Sequence, residues 1–375
     1  MKGDQVVSYH RLRTLAERHE ITLASFVGYR HDVEAVAHLH TYCRHIETVR
    51  LPKPVSVANA LVRFPSARPL QVSYYAWWPF RRLVTQLLAK RRFDVVHGFL
   101  VRMAPYLETA GTPSVLDAID SMQLKLGRDI ERTTLARRLV FREELRRMRS
   151  FEPSVARVNG ALIVTTQADA DAFGEGNIHV IPNGVDVGAF SPDSRRRSRE
   201  TVVFSGNLAY EPNEVAATWF VQECLPLIRA AVPSISALIC GRNPSRRVRA
   251  LGRQGGVDVL GDVASMPDAL NRASVAVAPM LTGSGMQNKI LEAMACELPV
   301  VTTSLGRGDI GAGVGDGLLV SDSAERFAST VVDLIRRPEW AEDIGRRGRR
   351  YVERFHSWER GAREVEAIYE AVSAQ

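Results

Sequence analysis

The residues with the clearest chemical potential lie in one glycine-containing segment, 279–301. It has the pattern of a strand end, a loop with Gly283, Ser284 and Gly285, a short helix and a second strand. Glycine lets a backbone approach a ligand closely, and the unpaired N–H groups at a helix N-terminus attract anions. Lys289 adds a full positive charge in the first turns of the helix. The segment therefore predicts a binding site for a diphosphate.

Glu292 follows Lys289 by one helical turn, and a carboxylate at that position can accept hydrogen bonds from both hydroxyls of a ribose. Together, the loop and this carboxylate favour a nucleoside diphosphate. The structural alternative is that the loop binds nothing and that Glu292 is simply solvated. Two known phosphate motifs are excluded, because Asn288 replaces the third glycine of G-x-G-x-x-G and the Walker pattern G-x-x-x-x-G-K-[ST] does not occur.

The chain of 375 residues has 45% hydrophobic and 24% charged residues, which is typical of a globular protein with two domains. No apolar run reaches the roughly 18 residues of a membrane span, and no signal-peptide pattern is present. The formal net charge of +7 suits anionic partners, but the absence of any nucleic-acid-binding signature disfavours nucleic acid. The four cysteines lie far apart without a C-x-x-C pair, which favours reduced thiols in the cytoplasm over disulfides or zinc.

Strand-like and helix-like segments alternate along nearly the whole chain, which predicts right-handed crossovers and parallel sheets. Short strands are expected at 21–26, 46–51, 95–97, 114–116, 160–164, 179–181, 202–205, 235–240, 257–260, 275–278, 300–303 and 318–320. The predicted fold class is therefore α/β, with two doubly wound, Rossmann-like domains. Ligands of such sheets bind beyond the carboxyl ends of the strands, so two facing domains would form a cleft with one ligand site on each side.

Turn residues and charges cluster without periodicity at 182–200, which marks the expected domain boundary. We expect a first domain at 1–185 and a second domain at 186–355. A C-terminal helix, 356–375, is expected to pack back on the first domain.

Three polar residues follow strands of the first domain. His97 ends strand 95–97 and would point into the cleft, where it could orient a substrate or act as an acid–base group. The alternative for His97 is a packed or capping residue. Asp117 and Asp120 follow strand 114–116, and helix capping is the alternative for Asp120.

Asp169 and Asp171 form a D-x-D pair of the kind that can hold a metal ion. Their position in the first turn of a helix favours a simpler role, in which the acids match the helix dipole. No metal is predicted here.

The segment 74–92 mixes aromatic residues with arginine and lysine. Tryptophan and tyrosine favour a bilayer interface and arginine favours anionic headgroups, so the segment predicts contact with a membrane surface. The alternative is a helix packed in the domain with an arginine-rich outer face. The region 123–152 is expected to form one long helix with a self-paired charged face.

Several motifs occur in an order that resembles one enzyme family. They are D-V-V-H at 94–97, I-P-N-G-V-D at 181–186, F-S-G-N-L at 204–208, Y-E-P-N at 210–213, C-G-R-N-P at 240–244, L-G-D-V at 260–263 and the glycine loop. On these motifs, which extend over nearly the whole chain, the protein resembles glycosyltransferase family 4 of the GT-B fold. It is most similar to the sugar transferases of exopolysaccharide and PEP-CTERM systems.

The resemblance implies that a sugar moves from a nucleotide-sugar donor to a lipid-linked or polysaccharide acceptor. Transfer would retain the anomeric configuration and would need no metal or other cofactor. The second domain would bind the donor and the first domain the acceptor, with Asp117 and Asp120 where the family commonly places a polar group beside the sugar. The resemblance also implies a cytoplasmic protein with peripheral contact to the inner membrane.

The resemblance assigns donor contacts to matching positions. Glu292 matches the second glutamate of the family's E-x7-E motif and would bind the ribose. Gly283 and Gly285 match the loop beneath the diphosphate, and Gly206 matches the glycine turn after the first strand of the second domain. Arg242, at a strand end, would contact the nucleotide.

Some positions depart from the family pattern. The leading glutamate of E-x7-E is Ser284, and the arginine and lysine that often follow the glycine turn are Asn207 and Asn213. Ser284 and Asn207 remain candidate donor contacts, and Lys289 and Arg242 would supply the missing positive charge. The departures leave open a nucleotide-sugar-binding pseudoenzyme or a partner subunit of another transferase. The order of the motifs disfavours an epimerase of the same architecture.

The N-terminal residues also depart from the pattern. Gly3 resembles the end of the donor-facing loop of the first domain, and residues 6–18 resemble the helix that follows it. The first strand of the N-terminal domain is not recognisable before that loop. A start codon assigned too far downstream, or loss of the strand, would explain this.

Overall fold

The computed structural model of the protein describes residues 3–28, 36–108, 111–130, 134–283 and 285–374. The chain divides into two compact units. Unit 1 comprises Met1–Pro182 with Gly361–Gln375, and unit 2 comprises Asn183–Arg360. The sequence places the boundaries a few residues away, after residues 185 and 355.

Unit 1 has a two-stranded and a four-stranded sheet within its described residues, and every strand pair is parallel. Its helices include α1 (Gly3–Leu15), α2 (Lys53–Val62), α3 (Leu70–Tyr74), α4 (Trp78–Lys90), α5 (Ala104–Leu107), α6 (Met122–Ile130), α7 (Leu135–Val158) and α8 (Gln167–Phe173). Its strands are β1 (Thr22–Val27), β2 (His45–Arg50), β3 (Val96–Phe99), β4 (Ser114–Ile119), β5 (Ala161–Val164) and β6 (Ile178–Val180). The smaller sheet pairs β1 with β2, and the larger sheet has the order β3-β4-β5-β6.

Unit 2 is built on one six-stranded parallel sheet in its described residues. Its strands are β7 (Thr201–Ser205), β8 (Ser236–Gly241), β9 (Val257–Gly261), β10 (Val275–Ala278), β11 (Val300–Thr302) and β12 (Leu318–Val320). Its helices are α9 (Glu211–Trp219), α10 (Leu225–Ala231), α11 (Arg246–Leu251), α12 (Met266–Leu270), α13 (Asn288–Ala295), α14 (Ser304–Arg307), α15 (Ala324–Arg336) and α16 (Pro338–Phe355). A last helix, α17 (Trp358–Ser373), begins in unit 2 and continues into unit 1.

Alternation along β4 gives unit 1 a core on each face of its larger sheet. Leu116 and Ala118 face one side, where they pack with Met148 of α7 and with residues of α8. Val115 faces the other side, where it packs with Leu15 of α1 and with residues of α17. Successive side chains of a strand point to opposite faces, so this sheet is covered on both sides.

The strand order of unit 2 identifies where its sheet can bind a ligand. The order is β12-β11-β10-β7-β8-β9, so the chain runs from β7 to β9 in one direction and from β10 to β12 in the other. The two runs meet between β7 and β10, and in open α/β sheets ligands bind beyond the carboxyl ends of the strands at such a switch point. Gly206 follows β7, and Gly283 and Gly285 follow β10.

The predicted α/β class with parallel, doubly wound sheets is confirmed. Two strands of unit 1 are longer than predicted, because polar residues lie inside them. β3 extends to Phe99, so His97 does not end its strand, and β4 extends to Ile119, so Asp117 lies within the strand.

Two helices also differ from the prediction. Gly3 is the first residue of α1 and not part of a loop, and the first described strand, β1, follows that helix. The region 123–152 contains α6 and α7 in place of one helix, because Thr134 has an extended backbone with φ −64° and ψ 153°. In the described part of the chain, every helix is too short or too polar to span a bilayer.

Candidate functional site

At the carboxyl ends of β7 and β8 in unit 2, two glycines let the two backbones approach each other closely. Gly206 and Gly241 have φ angles of +152° and +148°, which side chains rarely allow. A Cβ atom on Gly241 would lie 1.6 Å from the carbonyl oxygen of Gly206. The Gly206 amide donates to the Cys240 carbonyl at 3.1 Å, and the Leu208 amide donates to the Arg242 carbonyl at 2.8 Å. These contacts hold the glycine turn after β7 beside the end of β8.

Lys289 lies in the first turn of α13 and extends toward the same turn. Its Nζ donates a hydrogen bond to Asn213 Oδ1, lies 3.3 Å from Met280 Sδ, and lies 5.1 Å from the centre of the Phe204 ring. A Cβ atom on Gly206 would lie 3.4 Å from Lys289 Cε. The ammonium group is therefore held at the switch point between β7 and β10.

Asn213 fixes the direction of the Lys289 side chain. It is buried in the first turn of α9, where its Nδ2 donates to the Asn207 carbonyl at 2.9 Å while its Oδ1 accepts from Lys289. In the sequence, Asn213 stands out only as a position where a positive charge of the family pattern is missing. Its role depends on a contact between residues 76 positions apart, so no local sequence signal reveals it.

The environment of Lys289 disfavours its charge. Phe204 and Met280 are buried, and burial lowers the pKa of Lys289 to about 7, although the charge of Glu292 opposes the shift. An anion bound beside the ammonium group would raise this pKa again. Among the described residues, Lys289 therefore has no anionic partner within 4 Å that would stabilise its charged form.

Glu292 lies one turn further along α13. Its half-buried carboxyl group has no hydrogen bond or ion pair in the described ranges of the chain. Burial raises its pKa to about 7, against the effect of Lys289. Its charge also contributes, after burial, to the raised pKa of the Cys240 thiol at the end of β8. The carboxyl group is thus available to bind hydroxyls at the carboxyl edge of the sheet.

The loop after β10 is shaped by two glycines. Gly283 and Gly285 have φ angles of +114° and +75°, and a Cβ atom on Gly283 would lie 3.3 Å from the Pro212 side chain. Ser284, the third predicted residue of this loop, lies outside the described residues. The loop therefore packs closely against the start of α9, which also carries Asn213.

Two further predicted donor contacts are exposed at the same edge. Arg242 follows β8, and its guanidinium makes no hydrogen bond or ion pair within the part of the chain that is described. Asn207 follows Gly206, and its Oδ1 accepts from the Ala209 amide at 3.2 Å. Arg242 is free to contact an anion, whereas Asn207 mainly stabilises its own turn.

In unit 1, a buried ion pair includes Asp117, one of the residues predicted to be catalytic. Arg11 of α1 pairs with Asp117 of β4, and both side chains are almost fully excluded from solvent. Arg11 also donates to the Ile181 carbonyl at 3.0 Å, and Asp117 accepts from the Ile119 amide at 3.2 Å. The expectation that Asp117 contacts a sugar is corrected, because its carboxylate is buried and already bound by Arg11.

His97 belongs to the same buried cluster. Its Nδ1 lies 2.6 Å from the Tyr369 hydroxyl, and its Nε2 lies 3.8 Å from Asp117 Oδ2 without a hydrogen-bond partner. Burial, assisted by the charge of Arg11, lowers the pKa of His97 to about 3, so the ring is neutral near pH 7. The geometry matches the packed alternative for His97, since the ring contacts α17 and β4.

Asp120 keeps partial exposure after β4. It accepts from the Thr165 hydroxyl at 3.3 Å, and burial together with the charge of Asp169 raises its pKa. Asp120 does not cap α6, because Asp169 accepts from the Ser121 amide at 2.8 Å and Glu152 accepts from the Met122 amide at 2.6 Å. Helix capping thus does not account for Asp120.

The D-x-D pair has structural partners. Asp169 is buried and accepts from the Thr166 hydroxyl at 2.5 Å, and Asp171 accepts from the Gln167 side-chain amide at 2.8 Å. Across the described residues, no group of three or more histidine, cysteine, aspartate or glutamate side chains is arranged to hold a metal ion.

Comparison with known proteins defines the class of unit 2. Residues 199–337, which carry Gly206, Asn213, Lys289 and Glu292, match the family described as Glycosyl transferases group 1. This part of the chain is therefore a glycosyl transferases group 1 domain.

Particular relatives are consistent with this class. The chain is 30% identical over 203 residues to the phosphatidyl-myo-inositol mannosyltransferase of Mycolicibacterium smegmatis, and the match covers 52% of each chain. The chain spans about half the length of the curated relatives that it matches.

Solved structures share the fold over nearly all of the chain. Sucrose-phosphate synthase from Thermosynechococcus elongatus has 16% sequence identity and a TM-score of 0.69, with 100% of this chain and 94% of that chain covered. HepE from Anabaena, in complex with UDP, has 14% identity and a TM-score of 0.65, with 99% and 96% covered. The likeness to these structures confirms the predicted GT-B type of α/β fold.

Proposed function

We propose that this chain is a retaining glycosyltransferase that moves a sugar from a nucleotide-sugar donor to a lipid-linked or polysaccharide acceptor. The observation that carries the proposal is the ammonium group of Lys289, held by Asn213 at the β7–β10 switch point beside an unpartnered Glu292 carboxyl group. The glycosyl transferases group 1 match and the UDP bound by HepE support the same assignment.

Each donor contact has a distinct role in this proposal. Lys289 and the amides of the loop around Gly283 and Gly285 bind the diphosphate and stabilise the charge that develops on it as the sugar leaves. Glu292 accepts hydrogen bonds from the ribose hydroxyls, and Arg242 contacts the nucleotide. We propose no metal cofactor, because Lys289 and the loop amides supply the positive charge that the leaving group needs.

The acceptor side of the proposal rests on unit 1. Asp120 is the candidate polar group for the acceptor, because it keeps partial exposure, whereas Asp117 is buried in its ion pair with Arg11 and the His97 side chain is only 11% exposed. In retaining transfer, the departing phosphate oxygen can take the acceptor proton, so a strong protein base is not required. Asp120 would then position the acceptor and not deprotonate it.

The proposed setting is exopolysaccharide or cell-surface glycan synthesis at the cytoplasmic face of the inner membrane. The order of the sequence motifs supports this setting. A relative named as a phosphatidyl-myo-inositol mannosyltransferase favours a lipid acceptor. The PEP-CTERM systems noted in the sequence analysis are one such setting.

Replacing Glu292 by glutamine is expected to weaken nucleoside diphosphate affinity by about tenfold to one hundredfold. Hydrogen bonds to a charged group contribute roughly 1.5–3 kcal/mol, and the neutral amide offers one acceptor oxygen in place of the two of a carboxylate. Affinity is measured by titration with UDP and GDP. Turnover is measured as release of the nucleoside diphosphate from a panel of UDP- and GDP-linked hexoses.

The matched control is Glu223→Gln, which removes an exposed carboxylate elsewhere in unit 2 and should leave both measurements unchanged. Equal affinity of the two variants would contradict the ribose assignment. Tight binding of the native chain without release from any donor would instead support a nucleotide-sugar-binding pseudoenzyme or partner subunit, which Ser284 and Asn207 leave open. The anomeric configuration of the product, read by NMR, tests retention.

A further inference from the structure

Helix α2 of unit 1 turns its apolar face outward. The exposed positions of the helix repeat with helical spacing and lie on one face; they are Lys53, Pro54, Val57, Ala58, Leu61 and Val62. Among these, Leu61 is 67% exposed and Val62 is 78% exposed. The opposite face carries Ser56, which is fully buried, and Asn59. An ordinary surface helix has the reverse arrangement.

Polar contacts hold α2 in this orientation. Asn59 Nδ2 donates to the Ala76 carbonyl at 2.8 Å, which ties the inner face of the helix to the turn before α4. Trp78, at the start of α4, is 65% exposed and lies two residues beyond this contact. Phe64, just after α2, is half exposed. The outward face of α2 with Phe64 and Trp78 is called the α2 surface below.

The α2 surface is braced from α7. Arg147 donates to the carbonyls of Phe64 at 2.7 Å and Arg68 at 3.2 Å, and its guanidinium lies 5.0 Å from the centre of the Phe64 ring. Glu144 accepts from the amides of Leu70 and Gln71 at 2.6 and 2.9 Å. The segment after α2 is therefore fixed to the domain, so the apolar side chains cannot fold inward without breaking these bonds.

The chain segment that carries the α2 surface has charge of one sign, and Glu143 and Glu144 of α7, which lie beside it, are already bound by Arg147 and by the Leu70 and Gln71 amides. Residues 48–93 contain no aspartate or glutamate and carry nine basic residues: Arg50, Lys53, Arg63, Arg68, Arg81, Arg82, Lys90, Arg91 and Arg92. All of these except Arg68 are exposed. A partner that covers this apolar face must therefore present negative charge around an apolar interior, which is the chemistry of an anionic lipid bilayer.

The burial of the aromatic residues in segment 74–92 changes which residues could supply the apolar part of the predicted membrane contact. The Tyr75 ring centre lies 5.9 Å from that of Phe26 and 4.5 Å from the Arg102 guanidinium, so this partly buried ring packs against the domain. Trp77 is half-buried, and only Trp78 of the aromatic residues in 74–80 is exposed. The apolar part of a membrane contact therefore comes mainly from α2.

We propose that the α2 surface inserts into the interfacial region of an anionic bilayer, with the surrounding arginines and lysines on the headgroups. Leu61, Val62, Phe64 and Trp78 would enter the acyl boundary while α2 lies parallel to the membrane plane. The inference rests on the proposed function only for its purpose, which is to place the acceptor side of the chain at a lipid-linked acceptor.

The test is co-sedimentation of the full chain with vesicles. The native chain should bind phosphatidylglycerol–phosphatidylcholine vesicles, and binding should fall with added salt because headgroup contacts are screened. The double variant Leu61→Glu/Val62→Glu should bind at least about tenfold more weakly. Both positions are exposed, so the variant should unfold at the native temperature.

The matched control is Leu305→Glu/Val314→Glu, which changes two exposed apolar residues of unit 2 and should bind vesicles like the native chain. Equal vesicle binding by the two double variants overturns the inference, as does binding of the native chain to pure phosphatidylcholine with the same affinity. The inference is also overturned if the Leu61→Glu/Val62→Glu variant still binds vesicles but no longer self-associates. The α2 surface would then be a contact between two copies of this chain. Nucleoside diphosphate release from a soluble donor is measured in parallel, so failure of the proposed transferase activity is recognised separately.

Discussion

Replacing Asp117 by alanine is expected to lower the free energy of unfolding by about 3–5 kcal/mol, because Arg11 would remain buried without its ion-pair partner. Both partners are excluded from solvent on the α1–α17 side of the sheet. The Ile181 carbonyl that also accepts from Arg11 carries no formal charge, and the charge of Glu364 offsets burial only in part, since burial still lowers the pKa of Arg11 to about 10. Urea unfolding at pH 7, followed by far-UV circular dichroism, measures the change.

A double variant separates loss of the ion pair from loss of packing. Arg11→Met with Asp117→Leu replaces the pair by apolar side chains of similar size and should recover most of the lost stability. Asp343→Ala, which removes a partly exposed aspartate paired on the surface of α16, should cost less than about 1 kcal/mol. Similar costs for Asp117→Ala and Asp343→Ala would contradict a structural role for the buried pair.

Replacing Lys289 by methionine is expected to reduce kcat/KM for nucleoside diphosphate release by about one hundredfold to one thousandfold. A preorganised donor to a developing negative charge contributes roughly 3–4 kcal/mol of transition-state stabilisation. The side chain lies among Met280, Phe204 and Asn213, so a methionine fits the same space. Steady-state kinetics and thermal unfolding of the same preparations test this prediction.

Activity and stability should change in different directions for this variant. The lowered pKa of Lys289 means that the fold disfavours the charged form, so the uncharged variant should unfold at the same or a higher temperature below pH 7. Above pH 7, the native lysine loses its charge in the folded state before it does so in the unfolded state, so this advantage of the variant should shrink. Arg253→Met, at an exposed position of unit 2, is the control and should retain activity. A Lys289→Met variant with native turnover would refute the diphosphate role.

Much of the fold follows from the sequence because short apolar runs between helices have few alternatives. The run Val275–Ala278 has the bounds that its pattern predicts, and it is buried on both faces as a central parallel strand requires. The predicted strand stops at residue 116 because an aspartate usually marks the end of a buried strand. In the structure, β4 continues through Asp117 to Ile119. The Arg11 side chain that permits Asp117 inside the sheet lies 106 positions away. A local pattern cannot report such a partner.

The candidate site also contains some residues that the sequence reveals and others that it does not. Gly283 and Glu292 are candidates because a loop-to-helix phosphate site needs those residue types in sequence, whereas Gly206 is a candidate only through the family resemblance. The function of Asn213 is not recognisable, because it arises only when α9 and α13 pack together. The orientation of α2 has a similar cause. Periodicity reveals that a helix has an apolar face, but it does not reveal whether that face points inward.

The central claim is that Lys289 and the loop after β10 hold the diphosphate of the donor. A crystal structure of the chain with UDP, or with GDP if titration favours it, tests this claim most directly. The account predicts diphosphate oxygens within hydrogen-bond distance of Lys289 Nζ and of the amides near Gly283 and Gly285, with the ribose hydroxyls on Glu292. A nucleotide bound at another place, with Lys289 still directed to Asn213 and Glu292 unoccupied, would contradict it.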